Sequence, residues 1–594
     1  MLRQPQHEGT GIWHGHRWQK DFPHAEPVEA RALPIQVPAG NQPPMTMLAT
    51  HPAGRPDSLA PVQSGAEERR KILLAEYLFL AAVVFGWAVM VVVRGKDESW
   101  DFRNYHWYIP YAFLHHRLGF DVAVAHQATY YNPFLDTPFY LLATHVQAWL
   151  ALGTLGAVQG ASVIPLYLLC RSLLRIEHRR LVAAILALVS MLGSLNLYLA
   201  GSTYYDNVMS LFVLSSLALI ITWRAELAGG SVLRGVLIAF VAALLTGSAV
   251  GLKLPEAPFA LGFAAALAVL PGDTRHRGTR LLAGAFGGVV GFALFDGYWM
   301  AEMARLTGNP IFPYFNQFFD SPLALSASYR DLRFIPHGLA HQLLFPLLFS
   351  FDWSVADDLP FHDIRVGVAY VVVIVSLPFL VFARRRENKA VVPEIAIALI
   401  AFAAVSYIAW LKMFAIYRYI LLLEMLAPLL ITAAIGLWPV AGRDRVLAVA
   451  AILLWIVGST KALLPERAPV TDPYVQVSLP PIPHPDRSMI LMTGEAPLGY
   501  LVPSLPPQIP VLRIDGWLIQ PQDGSHLTAA TRKRVAAFEG DLYVIADAGE
   551  ILRSRNALAA YGLAMRVTEC RNIETNLAGP YRFCPLSHIE AQRP

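Results

Sequence analysis

The chain has 594 residues, 55% of them hydrophobic and 15% charged, with a formal net charge of +4. Soluble domains carry about 25% charged residues, so this composition excludes an ordinary soluble protein and implies an integral membrane protein. A balance so close to neutral also excludes a nucleic-acid binder, and the three cysteines occur in no Cys/His spacing of a zinc site.

Residues 1–68 are rich in Pro, His and Gly and show neither an apolar period nor a signal-peptide core. They read as a disordered cytoplasmic tail. His14 and His16 belong to that tract rather than to a metal site, and Met45 or Met47 stands as an alternative start.

A bilayer-crossing helix needs about 20 mostly apolar residues. Such runs fall at 72–93, 152–173, 181–200, 207–223, 233–252, 254–270, 281–299, 364–383, 390–410, 418–438 and 445–461. The expectation is therefore an all-α polytopic membrane module over 69–461, with about eleven transmembrane helices. The run at 133–149 is interrupted by Pro133, Asp136, Pro138 and His145, and reads as an interfacial helix.

The basic segments 171–180, 224–234, 275–280, 384–389 and 442–445 all fall on one side if the N-terminus is cytoplasmic. Counting 133–149 as a crossing would put 171–180 and every later basic loop outside, so the charge rule rejects it. The outer face then receives loops at 94–151, 201–206 and 300–363, and the tail 462–594. The runs "MILMTG", "IPVLRI", "DLYVIA" and "AMRVTE" are strand-like, and 527–538 and 549–561 are helix-like. They predict a small extracytoplasmic α/β domain. Cys570 and Cys584 lie in it, in a compartment where disulfides can persist, and a bridge between them is the expectation.

Just past the first apolar run comes "DESWDFRNYHWYIPYAF" (97–113), which crowds acids and interfacial aromatics together at the membrane surface. "YYNPFLDTPFYLL" (130–142) follows, then "GSTYYDN" (201–207) in the short outer loop. "LLTGSAVGLKLPEAP" (244–258) is a Gly-rich helix ending at Lys253, and "IYRYILLLEMLAPLL" (416–430) opens a late helix on Arg418 and Tyr419. In order and topology this arrangement resembles the glycosyltransferase C (GT-C) superfamily over roughly 72–460. These are multispanning enzymes that use polyprenyl-phosphate-linked sugars. One departure stands out: the superfamily's acidic motif is often two adjacent acids, whereas Asp97-Glu98 and Asp101 are split here. Either Asp101 or Asp97 is then the catalytic carboxylate, with Asp101 preferred because it begins the aromatic helix-like stretch.

The resemblance implies that Asp101 is a general base toward an acceptor hydroxyl, with inversion at the sugar carbon. Lys253, Arg418 and Tyr419 would receive the donor phosphate, and Asp206 would orient the acceptor or help hold a divalent cation. Cofactor use is otherwise unknown. The implied partners are a polyprenyl-phosphate sugar donor, membrane lipids and an envelope glycan, lipid or protein acceptor. The setting is a bacterial inner membrane, with the C-terminal domain periplasmic. Plainer readings stand beside each residue. Lys253 is equally a snorkelling helix end, and Lys412 rivals it for the phosphate. Asp206 is equally a helix cap. His106, His115 and His116 assist proton transfer or are simply solvated. Arg418 is harder to dismiss, because a charge within a span costs about 2.5–3.5 kcal/mol; Glu424 is a possible partner for it. A transporter or flippase of a lipid-linked or small polar substrate is the alternative function. Transporters show internal repeats, and none is evident here. A non-catalytic scaffold is the third reading.

Overall fold

The computed structural model describes residues 60–382 and 390–589. Residues 1–59 of the expected tail and the basic loop 384–389 lie outside the described residues. The first helix, Ala60–Arg94, begins inside the stretch expected to be tail.

Among the described residues, six helices are long and apolar enough to cross a membrane: Arg70–Arg94, Ala148–Leu173, Val232–Leu252, Thr274–Thr307, Pro393–Met413 and Tyr417–Gly436. Four shorter apolar helices accompany them, Asp206–Thr222, Leu254–Val269, Leu339–Phe351 and Arg365–Phe379. The expected count of about eleven crossings is thus not reached by length and composition, although every predicted apolar run falls on helix. The run 133–149 contains the helix Thr137–His145, nine residues and too short to cross. Leu339–Phe351, inside what reads as an outer loop, is an unexpected 13-residue helix interrupted by Pro346.

The predicted span 181–200 is broken, and the break has a physical cause. Arg179–Met191 stops before Gly193, which is extended, and a second helix runs over Ser194–Leu199. The buried Glu424 carboxylate sits where a Gly193 side chain would be. It accepts the Leu195 and Asn196 N–H groups at 3.4 and 3.1 Å and the Tyr417 hydroxyl at 3.0 Å. Asp363 takes the Ser194 N–H at 3.0 Å. The orphan donors of this short helix are thereby satisfied. Glu424 does not pair with Arg418; its oxygens are taken by Leu195, Asn196 and Tyr417.

Helix Val232–Leu252 packs on Thr274–Phe292 through glycines. A side chain on Gly247 would strike the Gly288 carbonyl, and one on Gly291 the Leu244 carbonyl. Such small-residue contacts let backbones approach closely. They fix the end of the helix that carries Lys253.

The tail forms the expected α/β domain, with a seven-stranded mixed sheet. Its strands are β1 (Val477–Ser478), β2 (Ser488–Met492), β3 (Val511–Arg513), β4 (Asp541–Asp547), β5 (Leu563–Met565), β6 (Arg571–Thr575) and β7 (Tyr581–His588). β3, β2 and β4 run parallel, β7 adds antiparallel to β4, and β6 then β1 extend that side. Helix His526–Ala536 links β3 to β4. Four strands match the predicted runs; polar β6, β7 and the two-residue β1 do not alternate clearly enough to be read. Cys570 and Cys584 are disulfide-bonded, Cα–Cα 4.2 Å.

The exposed edge of β3 is not left bare. Val122 of the first outer loop pairs with it, through Val122 N–H to Val511 O at 3.0 Å and Arg513 N–H to Val122 O at 2.9 Å. Beside it, buried Arg117 and Asp121 form a two-pronged pair at 2.6 and 2.8 Å. Asp121 also accepts the Val511 N–H at 2.9 Å, and Arg117 donates to the Pro507 and Ile509 carbonyls. The domain is therefore anchored to the same loop that supplies the acidic motif.

Gly247→Val should lower thermal stability in detergent by about 1–3 kcal/mol, the usual cost of overpacking. Gly86→Val, where nothing lies within 4 Å, should leave the melting curve unchanged.

Candidate functional site

A cavity of about 630 Å³ opens where helix ends, the loops 94–151, 201–206 and 300–363 and the C-terminal domain meet. Asp101, His106, Lys253, Arg418 and Tyr419 all line it. These residues are far apart in sequence, so their convergence is a property of the fold.

Arg418 begins the Tyr417–Gly436 helix and is held from three directions. Its Nη1 lies 3.2 Å from Asp101 Oδ2, and its backbone N–H donates to Asp357 Oδ2 at 2.6 Å. The guanidinium lies 4.5 Å over the Tyr204 ring and 5.4 Å from that of Tyr419, both cation–π distances. Its Nε is buried and has no hydrogen-bond partner among the described residues. Asp101 also accepts the Tyr105 hydroxyl at 3.0 Å, one turn along. Burial, with the Asp101 charge beside it, pushes the Tyr105 phenol well up, so it remains a neutral donor.

Lys253 follows the last residue of Val232–Leu252, at the negative end of that helix dipole. Its Nζ reaches Asp206 Oδ1 at 2.5 Å and the Tyr204 carbonyl at 2.9 Å, and lies 5.6 Å from the Tyr419 ring. Tyr205 takes a left-handed conformation, φ 62°, which is uncommon for a non-glycine residue. That turn starts the helix headed by Asp206. Asp206 makes no side-chain cap; its role is the pair with Lys253, and it does not itself line the cavity. Asp206 Oδ2 is buried and without a partner.

His106 Nδ1 lies 2.7 Å from Asp136 Oδ1, both residues buried. Burial holds the Asp136 carboxyl above its ordinary value, although His106 pulls the other way. The other ring nitrogen, Nε2, is buried and unpartnered. This His–Asp pair lines the same cavity as Asp101.

Other predicted residues fall elsewhere. Asp97 is 1% exposed and fully engaged: it accepts Ser99 N–H at 2.9 Å, Thr203 N–H at 2.8 Å and the Thr203 hydroxyl at 3.0 Å, and faces Arg467 at 3.7 Å. It braces the loop and does not line the cavity. Lys412 donates to Gln342 Oε1 at 2.5 Å, also outside it. His115 and His116 are exposed beyond the Tyr108–Leu114 helix.

Sequence reading missed Asp136, Asp296, Asp357 and Trp517, all of which line the cavity. Asp136 and Asp357 sit in the visible motifs "NPFLD" and "ADDLP", but nothing in their spacing tells which direction they face. Asp296 is held by Asn132 at 3.0 Å. Trp517 belongs to the C-terminal domain. It stacks at 4.7 Å on Trp100 and 4.9 Å on His126, whose rings lie side by side 6.0 Å apart. Despite this stacking Trp517 is 45% exposed.

Aspartates outnumber cations around the cavity, with Lys253, Arg333 and Arg418 the only Lys or Arg residues lining it among the described residues. No three His, Cys, Asp or Glu side chains among those residues are grouped to hold a metal ion.

No family model matches the chain, and no curated protein does. Among solved structures it is similar to the crystal structure of the Archaeoglobus fulgidus oligosaccharyltransferase in the apo form. The two share 12% identity over 82% of this chain and 71% of that one, with a TM-score of 0.42. A likeness so distant does not speak to what this chain binds or does.

Burial raises the Asp357 carboxyl from 3.8 to about 6, against the pull of Arg418. Between those values the folded chain holds a proton that the unfolded chain has released. The group's contribution is therefore fully present below 3.8 and lost as pH rises through about 6. Asp357→Asn should flatten this dependence, so that its melting temperature gains on that of the parent as pH rises across the window. A constant difference across that range would contradict the assignment.

Proposed function

We propose that the chain is a membrane glycosyltransferase of the extracytoplasmic face, transferring a sugar from a polyprenyl-phosphate donor to an acceptor hydroxyl. The observation that carries this reading is the sharing of one cavity by Asp101, Lys253, Arg418 and Tyr419 at the ends of apolar helices. A lipid-borne phosphate arrives at such a boundary, and a hydrophilic acceptor reaches it from the water side. A bacterial inner membrane is the setting we favour, from the basic bias of the short loops.

In the proposed reaction the acceptor oxygen attacks the anomeric carbon from the face opposite the phosphate. Its proton passes to Asp101 as the new glycosidic bond forms. The bond from that carbon to the phosphate oxygen breaks, and polyprenyl phosphate leaves with the electron pair. Fixed positive charge in a water-poor site stabilises such a leaving group. Arg418 and Lys253 supply it, the free Arg418 Nε being a donor without a partner.

Two of the cations are matched by carboxylates, Arg418 by Asp101 and Lys253 by Asp206. An arriving phosphate competes for both. When Arg418 turns its charge toward the phosphate, Asp101 loses a counter-ion and becomes the stronger base. Donor binding and base activation are thus coupled. The exposed indole of Trp517 at the cavity wall gives the C-terminal domain a place on the acceptor side.

Asp101→Asn should keep expression and membrane insertion but cut transfer by about 10²–10⁴-fold, the range general bases contribute. The assay is turnover of a panel of radiolabelled polyprenyl-phosphate sugars by the purified protein. Should Asp101→Asn retain full rate while His106→Ala loses it, the base is the His106–Asp136 pair instead. Arg418→Ala should chiefly weaken donor binding, and unchanged donor affinity would refute its phosphate role.

A further inference from the structure

A second cavity, about 440 Å³, lies at the opposite helix ends. Asp206–Thr222 has Asp206, the partner of Lys253, at one end, and Arg224 just beyond the other. At 1.5 Å per residue its 17 residues separate the two cavities by about 25 Å. Five arginines line the second one: Arg171, Arg175, Arg179, Arg180 and Arg224.

The walls are built. Arg175 N–H donates to the Ala390 carbonyl and Val392 N–H to the Leu173 carbonyl, both at 2.8 Å, so two distant segments are tied by backbone. Glu76 of the first membrane helix faces Arg171 at 3.1 Å and Arg180 at 3.0 Å. Among the described residues it is a single carboxylate against five guanidiniums. Glu177, on the same loop, is exposed and does not line the cavity. Among the described residues, the side chains of Arg175 and Arg179 meet no carboxylate.

Two features make this arrangement unfavourable by itself. Like charges converge in one small space. Arg179 and Arg180 also occupy the first turn of the Arg179–Met191 helix, where the dipole already presents positive charge and acids are preferred. A bound anion relieves both, and arginine's planar fork matches phosphate oxygens two at a time. From the same helix, Leu181, Ile185 and Leu188 stand exposed at spacings of four and three, a single apolar stripe running away from the arginines.

We propose that this cavity is a binding site for the phosphate headgroup of an anionic membrane lipid, whose acyl chains lie along the Leu181–Ile185–Leu188 stripe. The site is separate from the outer cavity and does not depend on the glycosyltransferase reading.

The test uses full-length protein in detergent, titrated with cardiolipin, phosphatidylcholine or soluble pyrophosphate while thermal unfolding is followed. Cardiolipin should raise the melting temperature saturably, and phosphatidylcholine should not. Arg175→Gln with Arg179→Gln should melt no lower than the parent in phosphatidylcholine, because both residues are exposed, their side chains meet no carboxylate among the described residues, and their removal relieves like-charge repulsion. The same pair should weaken the apparent cardiolipin affinity at least about tenfold, the low end for losing charge-assisted hydrogen bonds. An equal shift from pyrophosphate would make the ligand a soluble phosphate and overturn the lipid assignment. A cardiolipin response undiminished in the double variant, or matched by phosphatidylcholine, would overturn the site itself.

Discussion

Arg418 stands at the mouth of a helix that is buried almost throughout, and a guanidinium in that position must be met by charge or by aromatic faces. Its partners come from three regions remote in sequence. Asp101 belongs to the first outer loop, Asp357 to the long third loop and Tyr204 to the short second one. One side chain and its backbone N–H therefore hold all three of these loops around the late helix. The cavity between them is the space these contacts leave. Removing one member of a buried pair typically costs about 3–5 kcal/mol. With side chains still 17–18% exposed, Arg418 and Asp101 lie toward the lower end.

A second constraint works from outside. The Arg117–Asp121 pair and the Val122 bridge seat the C-terminal sheet on the first outer loop. The acidic motif is thereby clamped between the membrane helices and a folded domain. Asp97 strengthens this clamp by gripping Thr203. Two acids four residues apart in one motif thus divide the work, Asp97 bracing the loop and Asp101 facing the cavity.

That division explains what the sequence made legible and what it hid. Apolar runs of membrane length declare themselves because few other structures tolerate them, so the helices and the charges at their ends were readable. Lys253 and Arg418 stood out as cations ending or beginning such runs. Which acid meets which cation was not readable, because pairing depends on helix rotation and on turns such as left-handed Tyr205. Glu424 illustrates the difficulty: its partners Leu195 and Asn196 lie more than two hundred positions away. Leu339–Phe351 escaped for a different reason, since a Pro-containing apolar run of 13 residues is too short for the crossing template. In the C-terminal domain, buried β2 and β4 announced themselves by continuous apolar runs. Partly exposed β6 did not.

The two cavities also show how charge is sorted along the helices. Asp206–Thr222 carries an acid in its first turn and an arginine just past its last, both favourable to its dipole. Arg179–Met191 carries arginines in its first turn, against its dipole. A helix bundle that only needed to be oriented in a bilayer could place its basic residues anywhere along the short inner loops. Here they converge on one cavity and accept an unfavourable position to do so. At the other end the aspartates outnumber the cations, and each principal cation is individually neutralised. In the cavity lined by Asp101 the cations are paired with carboxylates, while among the described residues the arginine-lined cavity retains positive charge without a matching acid. These are different electrostatic tasks carried by opposite ends of one set of helices.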